Sequence, residues 1–389
     1  MNYAFFVAYI VGLSAFGSFV NDMFLPSLPS MCRFFDCSVP TVQLALTFGM
    51  IGLGLGQFVM GPISDKYGRK PVLFWSLVLF VVAAVVSIFS PTIHFFIGCR
   101  FFQGVGASGG YFLARTLPAD VYQGRTLAKT MALIGAINGF APASAPVLGG
   151  LIADRWDWQG VFVTLTICAV VLILFSFKFK ETLPPDRRDK GSLGNAFALY
   201  KDLLVNKPFM IHTLLKGAAL GILFAYVSSA PFIIQTHFGF SKIDFGLIMG
   251  ANSIFVVGGS LVALRFKTLK KAAMVGAITL MVFTVTEAAM LWTARSFIGY
   301  ELLMLPILFS LGLIFTSSNT LAMNEGRNHA GDASAVVGIG GYIFGAIVSP
   351  LVGMGDIMHS TGITFVVVAA IVLTAAILGS RLPAEMQRN

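Results

Sequence analysis

Charge is what this chain of 389 residues has least of. Only 11% of its residues are charged, against roughly 25% in soluble globular proteins. That leaves too little polar surface to keep so large a globule in water, which argues against a soluble enzyme. Cysteine is also sparse. Four residues make no disulfide framework. Cys32 and Cys37 share one loop and can pair if it faces an oxidising side, whereas Cys99 and Cys168 lie in apolar segments and read as free thiols. Four of the five histidines, His212, His237, His329 and His359, are scattered without metal-binding spacing, so no metal is expected. The glycine-rich run 104–110 lacks a Lys-Ser/Thr sequel and lies in an apolar block, so it is no phosphate loop. Acidic residues are the scarcer sign, 17 against 26 basic. In a soluble chain that surplus would point to nucleic acid. Here the basic residues sit between apolar blocks, so the lipid bilayer is the expected partner.

What the chain does have is apolar length. Hydrophobic residues make up 57% of it, with 37 Phe and 41 Gly, and the mean hydropathy is +0.85. The apolar residues recur in blocks of about 20, enough to cross a hydrocarbon core of roughly 30 Å. We read helical spans at about 4–25, 41–60, 71–90, 93–114, 129–152 and 159–178, then at about 209–232, 243–264, 272–293, 297–319, 333–354 and 361–380. The first block has no basic leader and runs on through Asp22 to Pro26, so it reads as a retained span. With both termini in the cytoplasm, twenty Lys and Arg fall on the inner side. Four, Arg33, Arg155, Lys242 and Arg295, fall outside. The remaining two, Arg100 and Lys216, lie within spans. The positive-inside rule therefore places the termini inside.

A polar stretch divides the chain into six spans plus six, giving an N-terminal bundle 1–180, a cytoplasmic linker 181–207 and a C-terminal bundle 208–389. Within the linker, 186–207 reads as an amphipathic segment on the inner surface. The halves echo each other at an offset of about 205 residues. Pro26 finds Pro231, the basic loop 61–70 finds 265–271, and Pro146–Gly149 falls near Pro350–Gly353. Parallel six-span repeats characterise a large secondary-transporter fold with its substrate site near the midplane. A channel has less support, because no filter-like loop is visible.

Several motifs sit on this frame. GPISDKYGRKPVL begins at Gly61 and occupies the inner connection between spans two and three. Gly61 and Gly68 permit close approach, Asp65 can accept from a helix N-terminus or an arginine, and Arg69 and Lys70 can grip a carboxylate or lipid phosphate. This sequence resembles the signature loop of the major facilitator superfamily. In span four, Arg100, Gln103, Gly104 and Gly106 resemble the family's Arg…Gln-Gly-x-Gly motif. In span five, Gly139-Phe140-Ala141-Pro142 through Pro146, Gly149 and Gly150 resembles the antiporter motif of drug exporters, with Ala145 where many members have Gly. NDMFLPSLP at 21–29 and Glu181-Thr182-Leu183-Pro184-Pro185 look like the bicyclomycin- and chloramphenicol-resistance (Bcr/CflA) branch. The second-half loop, Arg265 to Lys271, keeps the charge but lacks the glycines.

The resemblance implies an all-α membrane protein with twelve transmembrane helices in two six-helix bundles. It implies a proton-coupled multidrug efflux antiporter in a bacterial inner membrane, exporting lipophilic compounds by alternating access, usually as a monomer and with no cofactor beyond the proton motive force. Asp22 is then the expected proton and substrate switch, since a carboxyl among apolar residues can take up and release protons. Its plainer reading is an Asp at a broken helix or facing the outer water layer. Arg100, which stays charged, would couple with Gln103 to Asp22; its plainer reading is a clamp on backbone carbonyls. Glu301, near the outer end of span ten, is a further candidate for the cavity. Gly61, Asp65, Gly68, Arg69, Lys70 and Arg115 would form the conformational-switch loop, and Pro142, Pro146, Gly149 and Gly150 the seal against proton leak. Glu287 falls in span nine, expected at the periphery, where it would be protonated or paired, and Lys216 is expected to snorkel to the inner interface. The rivals are a carrier for a specific metabolite such as a sugar, amino acid or siderophore, and a membrane enzyme or sensor, for which no convergent polar cluster or added domain is visible.

Overall fold

Inside a bilayer every backbone amide must find its partner within the segment, so apolar blocks of this length become helices. The computed structural model describes residues 3–178, 180–188, 201–293, 296–327 and 330–382, and among them there is helix and no strand. The helices are α1 Tyr3–Asp22, α2 Leu28–Phe34, α3 Val39–Tyr67, α4 Arg69–Ile88, α5 Ile93–Val121 and α6 Gly124–Phe177. After them come α7 Lys207–Pro231, α8 Lys242–Ala263, α9 Leu269–Thr293, α10 Phe297–Glu325, α11 Ala330–Leu351 and α12 Ile357–Ser380. Starts are marked by the expected chemistry. Thr92 accepts a hydrogen bond from the Phe95 amide at the head of α5, Ser296 does the same for Gly299 at α10, and Pro40 stands in the first turn of α3.

Ten helical segments are long and apolar enough to cross a membrane. One of them, α6, has 54 residues, about 80 Å at 1.5 Å per residue, which is two crossings joined end to end. The join is Asp157, whose φ of 49° and ψ of −159° break the helix. Adding α5, whose polar groups lower its hydropathy, gives twelve crossings among the described residues and agrees with the expected architecture.

Several boundaries differ from the hydropathy reading. The first span, expected at 4–25, stops at Asp22, passes through a 3₁₀ turn at Leu25–Ser27 and resumes as α2, because Pro26 and Pro29 cannot donate to the helical ladder. The inner connections are shorter than expected: 61–67 belongs to α3, and α5 continues to Val121. Hydropathy ends where charged side chains begin, but a helix needs no apolar side chains once it enters water. The expected amphipathic segment at 186–207 opens with part of a 3₁₀ turn, Pro185–Arg187, and its residues 189–200 lie outside the described residues, as do Arg295 and His329.

On α4 one stripe packs inward and the opposite one is exposed. Leu73, Leu77, Phe80 and Ala84 are fully buried while Trp75, Val82 and Val86 are exposed, the spacing of two opposed helical faces. Packing divides the chain into two units. The first comprises Met1–Ala196 together with Val227–Ser253 and Ser349–Ile357, and the second comprises Phe197–Tyr226, Ile254–Val348 and Met358–Asn389.

Candidate functional site

In the first unit the break in α1 places Asp22 at a helix terminus, partly exposed, next to the buried Asn21. Arg100 of α5 lies within electrostatic reach of Asp22 and is itself fully buried. Its guanidinium donates to the carbonyls of Val20 on α1 (3.0 Å) and Ala45 on α3 (3.3 Å), and to Gln103 Oε1 (2.6 Å). It also stacks over Phe24 at 4.4 Å and stands 5.7 Å from the Phe162 ring, placements that favour a cation. Gln103, also fully buried, donates to Ser87 Oγ (2.8 Å) and the Ala83 carbonyl (3.3 Å) of α4. One arginine therefore ties α1, α3 and α5 together, and its glutamine extends the chain to α4. The clamp on backbone carbonyls is thus present, with Asp22 within electrostatic reach.

The antiporter-motif residues meet this region from α6. Gly149 packs directly on the Met23 carbonyl, one residue past Asp22, and a side chain there would overlap it. A Cβ on Gly150 would come within 2.5 Å of the Lys242 carbonyl. Pro146 is buried in the same face, whereas Pro142 is exposed and stands outside it.

The inner cluster is built differently from a flexible loop. Gly68, with φ at 100°, is the whole connection between α3 and α4. A side chain there would meet Glu181 at 2.5 Å and Arg188 at 2.7 Å, so both the backbone and the space require glycine. Glu181 accepts from the amides of Arg69 (3.0 Å) and Lys70 (3.2 Å), placing a carboxylate on the N-terminus of α4. Arg69 bonds Ser64, Asp65 and, at 3.0 Å, Asp120 of α5, which also accepts from Thr182 at 3.1 Å. Lys70 donates to the Phe177 carbonyl at 3.3 Å, and Gly61 packs near Phe112. Arg115 is not brought into this cluster: it stacks on Tyr111 and donates to its hydroxyl at 2.8 Å. Sequence reasoning missed Asp120 and the capping role of Glu181; the acidic end of α5 and the ETLPP run were their only signals.

It also missed an outer cluster. At the break in α6, Asp157 accepts from Ser30 (2.6 Å), Lys242 (2.8 Å) and its neighbour's amide, Trp158 (2.9 Å). Burial alone would raise the Asp157 pKa, but the hydrogen bonds from Lys242 and Ser30 outweigh it and hold the carboxyl below its usual value. Nearby in the same unit, Gln43 donates to the Ser228 carbonyl at 3.0 Å, and Ser228 exchanges hydrogen bonds with Ser349. Cys32 and Cys37 are not bonded to each other; the Cys32 thiol donates to the Cys37 carbonyl at 2.6 Å.

In the second unit Glu301 is partly buried in the second turn of α10. Lys216 is partly buried. Its amine donates to Asn319 Oδ1 of α10 at 2.7 Å, because an amide acceptor stands within reach across the helix pair. Glu287, expected at the lipid periphery, is fully buried.

A polytopic helical bundle with a buried arginine network, glycine-mediated helix contacts and a charged inner clasp defines a membrane transporter. Residues 10–350 match the family model of the Major Facilitator Superfamily, and the chain belongs to that family. It is 34% identical over 381 residues to the uncharacterised MFS-type transporter YdgK of Bacillus subtilis, covering 96% of this chain and 93% of that protein. It is 28% identical over 235 residues to the multidrug resistance protein MdtL of Shigella dysenteriae, a match spanning 60% of this chain and 59% of that one. Among solved structures, a bacterial homologue of the human lysosomal transporter Spinster aligns with a TM-score of 0.77 at 13% identity over 98% of both chains. The xylose transporter XylE of Escherichia coli aligns at 0.74 and 14% identity over the full length of both chains. These two likenesses support the fold alone.

Proposed function

We propose that this transporter is a proton-coupled multidrug antiporter of the Bcr/CflA type, exporting lipophilic antimicrobials such as chloramphenicol- or bicyclomycin-like compounds. The observation that carries the reading is Asp22, a carboxyl at the break of the first membrane helix within electrostatic reach of the buried Arg100. Substrate and proton compete there. Asp22 loads a proton when open to the outside and gives it up as drug binds from the inside. Arg100 and Gln103 transmit that change in charge to α3, α4 and α5, and Glu301 contributes from α10. The α6 face of Pro146, Gly149 and Gly150, with Pro142 on the same helix, keeps protons from leaking past. The inner clasp of Asp65, Gly68, Arg69 and Lys70 holds one arrangement and releases it in the other. Gly61 lets it close, while Arg115, held on Tyr111, lies outside it.

The protein works as a monomer in the inner membrane of a bacterium, driven by the proton gradient without a cofactor. The resistance names of the MdtL relatives support the substrate class. Expression in a drug-hypersensitive bacterium tests it: tolerance to chloramphenicol or bicyclomycin should rise severalfold, and Asp22→Asn should abolish the gain at equal protein level. No gain with any lipophilic compound would refute the drug reading.

A second reading, a carrier for one polar metabolite, draws on the Lys216–Asn319 pair. An amine and an amide on facing helices suit hydrogen bonds to a hydroxylated or carboxylated substrate.

A further inference from the structure

The second unit holds an acidic group that the reading above does not use. Glu287 lies on α9 in the stripe Leu280, Thr284, Glu287, Ala288 and Leu291, all buried, while Ile278, Val282 and Val285 on the opposite face are exposed. The side chain therefore points into the unit and away from lipid. It is fully buried, and neither carboxyl oxygen has a hydrogen-bond partner. Glu301 of α10 lies within electrostatic reach of Glu287. Tyr300 of α10 is within reach of both glutamates and of Tyr226 on α7. The titratable group from α12 is His359, which packs on Trp292, five residues further along α9. Among the described residues no cation is in electrostatic reach of Glu287, and the group that acts on it, Glu301, is itself acidic.

An ionised carboxylate without a partner is the least tolerable group in a membrane interior, and two carboxylates in reach of each other do not both ionise. We propose that Glu287, facing Glu301, is a second proton-binding site, housed in the second unit and separate from Asp22. Glu287 carries the proton in the arrangement seen here. It takes that proton from one aqueous phase and returns it to the other when water or a rearranged α9–α10 pair reaches it. Glu301, which is partly exposed, is the group through which the proton enters. The site rests on the antiport reading only for its use; its existence does not depend on it.

Infrared difference spectroscopy on the intact purified protein, without any substrate, tests the site directly. Wild type, Glu287→Gln, Asp22→Asn and Glu301→Gln would be titrated from about pH 5 to pH 10. A carboxylic-acid C=O band should be present near neutral pH, disappear on alkaline titration, vanish in Glu287→Gln and persist in Asp22→Asn. In Glu301→Gln its midpoint should shift, because the neighbouring charge is gone. An identical spectrum in Glu287→Gln would overturn the proposal. So would a Glu287 band that stays unchanged across the whole range, since a permanently protonated acid is only structural. In liposomes, Glu287→Gln should reduce the protons moved per substrate while Asp22→Asn abolishes exchange. If no compound drives exchange but the band titrates, the antiport reading fails and the proton site stands.

Discussion

Arg100 is the point where one side chain ties several helices together. A buried guanidinium needs several acceptors to offset its lost hydration, and here Val20, Ala45 and Gln103 supply them while Phe24 offers its ring face. Removing it as Arg100→Ala takes a donor from the Val20 and Ala45 carbonyls and from the Gln103 side-chain oxygen. Thermal unfolding in detergent should show a loss of about 3–5 kcal/mol, the cost of breaking a buried charged network. A second residue-scale prediction concerns Asp157, at the outer turn between the fifth and sixth crossings. Its lowered pKa means the contact with Lys242 adds stability above the ordinary carboxylate range and loses it as pH falls through the depressed value. Stability should thus show no contribution from Asp157 titration between about pH 5 and 8 and decline only below about pH 4. Asp157→Asn should remove the charge and with it this pH dependence, while the amide oxygen still accepts from Ser30 and Lys242. Because Asp157 is 44% exposed, the effect should stay under about 1 kcal/mol. Asp22, Arg100 and Gln103 were legible in the sequence because a charge inside an apolar block stands out. Asp157 was not. It sits among the polar residues of an outer connection, where one acid looks like another until Ser30 and Lys242 are brought to it.

Helices were readable as apolar blocks, but their ends were not, since the signal is hydropathy and the helix outlasts it. The inner connection after α3 is the sharpest case. Ten residues that read as a loop reduce to Gly68, and the carboxylate that completes the turn comes from Glu181, more than a hundred residues later. Long-range capping leaves no periodic trace. Gly68→Ala forces a left-handed backbone on a residue with a Cβ, costing about 1–2 kcal/mol, and adds the collision with Glu181 and Arg188. Denaturant unfolding should register at least that loss. Glu181→Gln should soften the same turn by a smaller amount, because an amide oxygen still accepts from the two amides but brings no charge to the helix N-terminus.

At the scale of the whole molecule, the twelve crossings and the family were written in span length, inner positive charge and motif order. Which faces point inward was not. Glu287 belongs to a span expected at the periphery, and only the buried stripe it shares with Leu280 and Leu291 shows which way it faces. Lys216 was expected at the interface, and Asn319 holds it in the helix pair. Helix rotation about its axis is hard to read when both faces are apolar, because lipid and protein interior attract the same side chains. The account turns on Asp22 as the point where proton and substrate exclude each other. Its most direct test uses liposomes loaded with a pH-sensitive dye, containing wild type or Asp22→Asn, to which chloramphenicol, bicyclomycin or a lipophilic cation is added. The account predicts compound-triggered proton movement in wild type and none in the mutant. Equal proton movement in both would contradict it and transfer the switch to another carboxyl.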